Sequence, residues 1–136
     1  MPASLSPSRA SDFMQCPLLY RFRVIDKLPE SPSAAASRGT LVHSVLERIF
    51  DVDAPKRTLE RALDLIPHAW EDMLTDEPEL AELAGSTPHD LATWLRDAEK
   101  LVEKWFAMEN PQFLEPAERE LYVEADLDGL TLRGYI

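Results

Sequence analysis

Leu121-Tyr122-Val123-Glu124-Ala125-Asp126-Leu127-Asp128-Gly129-Leu130-Thr131-Leu132-Arg133-Gly134-Tyr135-Ile136 closes the chain. Leu121, Val123, Ala125 and Leu127 alternate with Tyr122, Glu124 and Asp126, a period of two that marks a strand. Asp128-Gly129 is a two-residue turn of the kind that joins antiparallel strands. Leu130, Leu132, Gly134 and Ile136 resume the alternation. A β-hairpin over 114–136 thus follows some 110 residues that read mainly as helix, and this change of period sets the class as α+β, rich in helix. A two-stranded hairpin is marginal by itself. Its second strand runs to the last residue, so the chain is expected to be a fragment of a longer protein with an incomplete sheet. The open strand edge is expected to make it oligomerise or aggregate.

Working back from the hairpin, Thr87-Pro88-His89-Asp90 is a helix start: a threonine N-cap, proline at N1 and an acid at N3. Leu91, Trp94, Leu95, Ala98, Leu101, Val102, Trp105 and Phe106 follow at three- and four-residue spacing, and Asn110-Pro111 ends the run. Leu59, Ala62, Leu63, Ile66, Trp70, Met73 and Leu74 carry the same period. Pro67 falls inside that pattern, which predicts a kink or a split into two helices. A short helix is expected around 79–83.

Leu41, Val42, Val45, Leu46 and Ile49 form one apolar face of a further helix. It should start in the alanine run 34–36 or at Gly39 and end near Phe50. At roughly 100° per residue, His43 lies about 110° from the centre of that face, one turn before Glu47 on the same side. The histidine can pack its ring and still turn a nitrogen into a cleft, or form an exposed pair with Glu47. Near the N-terminus, Ser6 is a plausible N-cap with Pro7 at N1, and the helix should stop at Cys16 because Pro17 disfavours helix at the residue before it. Residues 18–25 read as a helical turn or a short strand, and 29–37 as a loop.

Composition limits the function classes. Hydrophobic residues make up 45% of 136, enough for a real core in one domain spanning 1–136. No run of eighteen apolar residues predicts a membrane span, and no signal-peptide pattern opens the chain. With Cys16 as the one cysteine, an internal disulfide is impossible, and a cytoplasmic protein is expected. Net charge is −11, which argues against nucleic acid, yet it is unevenly spread. Residues 1–50 hold Arg9, Arg21, Arg23, Lys27, Arg38 and Arg48 against Asp12, Asp26, Glu30 and Glu47, a net +2. A basic first third is compatible with a phosphate-facing patch, or with salt bridges to the abundant acids.

Three features stand in one order: Leu5-Ser6 followed by Asp12-Phe13 and Cys16-Pro17; Gly39 four residues before His43, with Glu47 beyond; and Glu120 ahead of a hairpin ending Arg133-Gly134-Tyr135-Ile136. This set resembles the RecB-type branch of the PD-(D/E)xK nuclease superfamily. That branch holds the nuclease domains of RecB and AddB, the CRISPR-associated adaptation exonucleases and standalone actinobacterial exonucleases. The resemblance runs from Leu5 to Ile136 and implies the N-terminal part of a restriction-endonuclease-like domain. Helices there pack on the first hairpin of a mixed sheet.

The resemblance also implies a site. His43 matches a ligand of the catalytic Mg²⁺ or Mn²⁺, and Gly134-Tyr135-Ile136 matches the strand that leads to the metal-binding aspartate. That aspartate and the E/D-x-K pair that follows are missing from the sequence. Magnesium prefers oxygen ligands, so one imidazole cannot hold it, and the 136 residues are expected to be inactive by themselves. Glu120 is the candidate supporting acid, with Glu118 and Glu124 as alternatives. Arg9, Arg21, Arg23 and Arg38 are candidates for contacts with DNA phosphates. In iron–sulfur members a cysteine at the position of Cys16 joins three others around a 4Fe–4S cluster; without those three, Cys16 reads equally as a buried small apolar residue. The implied partners are DNA with a single-stranded end and a helicase subunit or domain, in repair or recombination. The competing readings are a protein-interaction module that binds through its open strand edge and a non-catalytic DNA-binding domain of a helicase–nuclease complex. The expected core contains Phe13, Leu41, Val45, Leu46, Ile49, Leu63, Trp94, Leu95, Leu101, Val102, Trp105 and Leu121.

Overall fold

Asp128 and Gly129 both adopt positive φ, 50° and 84°, the backbone of a primed turn whose twist matches the strands it joins. Around it the computed structural model, which describes residues 4–135, pairs β2 (Tyr122–Leu127) antiparallel with β3 (Leu130–Tyr135). The register sets Leu127 against Leu130, Ala125 against Leu132 and Val123 against Gly134, so the alternating apolar residues share one face. One strand was not anticipated. Ser4–Leu5 (β1) lies parallel to β3 on its other side, which gives the order β1-β3-β2. Two residues are too few for a periodic signal, so only the pairing reveals it. Ile136, the expected end of the last strand, lies outside the described residues.

Contacts divide the chain into two units. The first joins the residues up to Ser31 with those from Pro116 onward. Besides the sheet it holds α1 (Pro7–Gln15) and α2 (Pro17–Tyr20), separated at Cys16, whose extended backbone ends one helix and starts the next. A π-helical turn continues over Arg21–Ile25, which resolves the ambiguous 18–25 stretch as helix.

The second unit, Pro32–Glu115, contains α3 (Ala34–Arg48), α4 (Leu59–Asp76), α5 (Leu80–Leu83) and α6 (Pro88–Met108). Each long helix is capped by its sequence. Ser33 Oγ accepts from the Ala36 amide, Thr58 Oγ1 from Arg61, and Thr87 with Asp90 forms a complete capping box. Pro67 sits inside an unbroken α4, so the helix does not split in two. Its missing N–H leaves one carbonyl a turn earlier without its helical donor, a local cost outweighed by the buried face.

That face meets α3 and α6. Leu41 and Val45 of α3 with Ile49 just past its end, Ala62, Ile66, Ala69 and Trp70 of α4, and Trp94, Ala98 and Val102 of α6 are buried together. The alanines at 62, 69 and 98 allow close helix approach, and the Trp70 and Trp94 rings pack with centroids 4.7 Å apart. Of the expected core, Leu46, Leu63, Leu95 and Trp105 are half-buried, while Phe13, Leu101 and Leu121 are exposed. Leu101 falls about 60° to one side of the α6 stripe centred on Ala98, at 100° per residue. Leu121 precedes the first paired residue of β2. Phe13 packs edge-on against Tyr20, centroids 5.5 Å apart, which leaves half its surface in water.

Candidate functional site

His43 is carried by the best-buried helix of the second unit. Leu41, Val42 and Val45 on either side of it are buried, which fixes α3 in rotation and leaves His43 and Glu47 exposed, one turn apart. This is the shoulder position that the periodicity predicts. Gly39 lies one turn earlier, and a methyl group added there would meet no atom within 4 Å. Arg38 is not a bare cation: its Nη1 lies 3.6 Å from Asp97 on α6. Asp97 also accepts from Lys100 Nζ at 3.0 Å. That bond, followed by the Lys100 charge and more weakly that of Arg38, holds the Asp97 carboxyl below its usual range against a small opposing effect of burial.

The first unit holds the other candidates. Arg23 grips Glu30 with both arms of its fork, Nε to Oε1 at 2.7 Å and Nη2 to Oε2 at 2.8 Å, while Nη1 donates to Asp12 at 2.7 Å. These bonds, Glu30 foremost and then Asp12, raise the guanidinium pKa still further. Arg21 Nε donates to Asp26 at 3.1 Å. Arg9 lies half-buried on α1. Three of the four arginines proposed for phosphates therefore already face carboxylates.

Cys16 is exposed, which corrects its reading as a buried small apolar residue. It occupies the joint between two helices, where proline at 17 forces an extended residue and turns the thiol side outward. Glu120 is exposed, with φ of 48°, a left-handed conformation uncommon for a side chain of its size. Among the described residues, no three His, Cys, Asp or Glu side chains converge so as to hold a metal ion. The candidate ligands thus do not by themselves fit a divalent cation, which needs several oxygens around it.

Two features carried no sequence signal. Arg57, in what reads as a polar loop, is 6% exposed. Its Nε donates to the Val52 carbonyl at 2.9 Å, and Nη1 to Pro111 (3.2 Å), Leu114 (2.7 Å) and Glu115 (2.8 Å). Its acceptors are mainly backbone carbonyls, which no residue pattern reveals. On the hairpin, Tyr122 and Tyr135 pack at 5.4 Å, and the Tyr122 hydroxyl donates to Glu124. Glu124 raises the Tyr122 pKa, while Arg133 opposes it.

No helix among the described residues is long and apolar enough to cross a membrane. The chain matches the PD-(D/E)XK nuclease superfamily over residues 4–136. It is 32% identical over 152 residues to the Gene 69 protein of Mycobacterium phage D29, a match that covers 96% of this chain. The chain spans 55% of that relative's length. No solved structure matches it. With the match extending over nearly all of its residues, the chain belongs to the PD-(D/E)XK nuclease superfamily.

Proposed function

We propose that this chain supplies the N-terminal helices and first hairpin of a RecB-type DNA exonuclease domain that works in the cytoplasm in repair or recombination. The observation that carries the reading is the superfamily match together with an exposed histidine on a rigidly packed helix. Nucleases of this superfamily generally use divalent metals. In this reading His43 is one ligand of a Mg²⁺ or Mn²⁺ ion, whose role is to polarise the phosphate and activate a water. The carboxylates that must join it are not assembled among the described residues, and the sequence contains no Asp/Glu-x-Lys triplet. The 136 residues are therefore expected to bind DNA without cleaving it. Glu120 is assigned a supporting role, and Cys16 a cluster role only where three more cysteines are supplied.

Arg9 is the fourth candidate; for Arg21, Arg23 and Arg38 to reach phosphates, the DNA must displace or share Asp26, Asp12, Glu30 and Asp97. Exchange costs least at the single contacts of Arg21 and Arg38 and more at Arg23, whose fork holds Glu30 with two bonds and Asp12 with a third. Binding should accordingly be weak and fall steeply with salt.

Manganese broadening of histidine ring signals tests the metal role, with exposed His68 and His89 as internal controls. Paramagnetic broadening needs only weak, transient contact at one imidazole, so selective loss of the His43 signal supports the assignment and equal broadening of all three removes it. Titration with single-stranded DNA tests the substrate. No binding at low salt, or binding unchanged by Arg21→Ala and Arg23→Ala together, would end the nuclease reading. Robust cleavage that depends on His43 would overturn the expected inactivity alone.

A further inference from the structure

We infer that Pro32–Glu115 is an autonomous folding unit, which stays folded with His43 in place while the first unit opens. At roughly 80 residues it is longer than the smallest domains that fold without disulfides or metals. The buried apolar residues of the core, from Leu41 to Val102, all lie within it. Most come from α3, α4 and α6, and each of these helices packs on the other two. Polar groups are settled inside the unit as well. At the chain's entry Ser33 caps the first turn of α3 through the Ala36 amide. At the exit Arg57 binds the Leu114 carbonyl and the Glu115 carboxylate. Arg38 pairs with Asp97 and Arg48 with Asp72, each joining two helices of the unit. With the exception of Trp94 Nε1, no buried side-chain polar atom among the described residues lacks a partner.

The first unit is built differently. None of its described residues is buried. Its sheet has three strands, of which β1 contributes two residues. Such a sheet has little apolar burial to offset the entropy of ordering it. Elements with few buried contacts open at lower free energy than a packed core. Whatever else covers that sheet adds to the stability of the first unit. The second needs no such cover, because its core and the polar groups at its entry and exit are satisfied from within. In the nuclease reading proposed above, metal or DNA can then drive ordering of the sheet but not of the His43 helix. That consequence rests on the reading; the folding inference does not.

The whole chain carries its own reporters. Trp70, Trp94 and Trp105 all lie in the second unit, and Tyr20, Tyr122 and Tyr135 in the first. Urea unfolding is followed in parallel by tryptophan fluorescence and by the ring-proton NMR signals of the tyrosines. The tyrosine transition is expected on the order of 1 M below the tryptophan one, or complete before urea is added, while the tryptophan transition stays cooperative. Gly129→Val puts a β-branched residue at φ +84°, where the added Cβ meets no atom within 4 Å, so it strains the turn and no packing contact. It should remove the tyrosine transition and leave the tryptophan midpoint unmoved. Ile66→Val trims a fully buried side chain and should speed amide exchange about two- to tenfold in α3, α4 and α6 together, but not in β2 and β3. If the hairpin survives Gly129→Val, the parent transitions and Ile66→Val decide. Coincident transitions in the parent, a tryptophan transition that comes first, or a tryptophan midpoint that falls with the hairpin overturns the inference. So does faster exchange of the hairpin in Ile66→Val to the same degree as the helices.

Discussion

Replacing Arg57 by alanine should be among the most damaging single changes outside the apolar core. The side chain ties residues 52–57 to 111–115, and its guanidinium lies 5.1 Å from the Phe50 ring centroid. A hydrogen bond from a charged donor contributes about 1.5–3 kcal/mol net. The four here cannot be summed, because the three acceptors at Nη1 share two protons. Removing one partner of a buried charged network costs about 3–5 kcal/mol. Glu115 keeps 75% of its side-chain surface in water, so no charge is stranded by the loss. The expected cost therefore lies near the lower end, about 3 kcal/mol.

Glu115→Ala should cost less than about 1 kcal/mol, because the three carbonyls keep the arginine in place. Arg57→Lys should fall between them, since a single ammonium cannot span carbonyls on two segments as the fork does. Urea unfolding followed by far-UV circular dichroism and tryptophan fluorescence measures all three. The Arg57→Ala midpoint should drop by on the order of 1–3 M with the slope unchanged. A cost below about 1 kcal/mol, or a Glu115→Ala effect as large as that of Arg57→Ala, would show that the carbonyl contacts do not carry the interaction.

Two glycines should respond in opposite directions. Gly39→Ala should stabilise by about 0.5–1 kcal/mol in thermal melts, because the position is helical and the added methyl meets nothing. Gly85→Ala should destabilise by more than about 1 kcal/mol, since its φ is +96° and the new Cβ would lie 2.3 Å from Asp90 Cβ, within the capping box. The Asp97 carboxyl is held below its usual pKa, chiefly by Lys100, so its contribution is complete above the ordinary carboxylate range. It is lost as pH falls through the lowered value, and Asp97→Asn should remove that part of the acid dependence of stability. The Tyr122 pKa is raised, chiefly by Glu124, so its contribution holds below the ordinary phenol value and fades as pH rises through the raised one. Ultraviolet titration of Tyr122→Phe against the parent should show the missing phenol ionising above the ordinary phenol value; one that ionises at or below that value contradicts the Glu124 bond.

Local pattern alone determined much of this protein. The Thr87-Pro88-Asp90 start of α6, the buried stripe of α3, the hairpin and its Asp128-Gly129 turn, and the outward position of His43 all follow from interactions within a few residues. Periodicity and capping chemistry report such interactions directly. The ordered motifs were also enough to reach the nuclease superfamily. What only tertiary structure decided are the pairings between distant segments: Ser4–Leu5 beside β3, Arg57 on the carbonyls of 111–115, and Asp97 beside Arg38. Such contacts rest on backbone groups and on side chains that many sequences could supply. The exposure of Phe13 and Leu101 belongs with them, because an apolar residue is buried only when another element arrives to cover it.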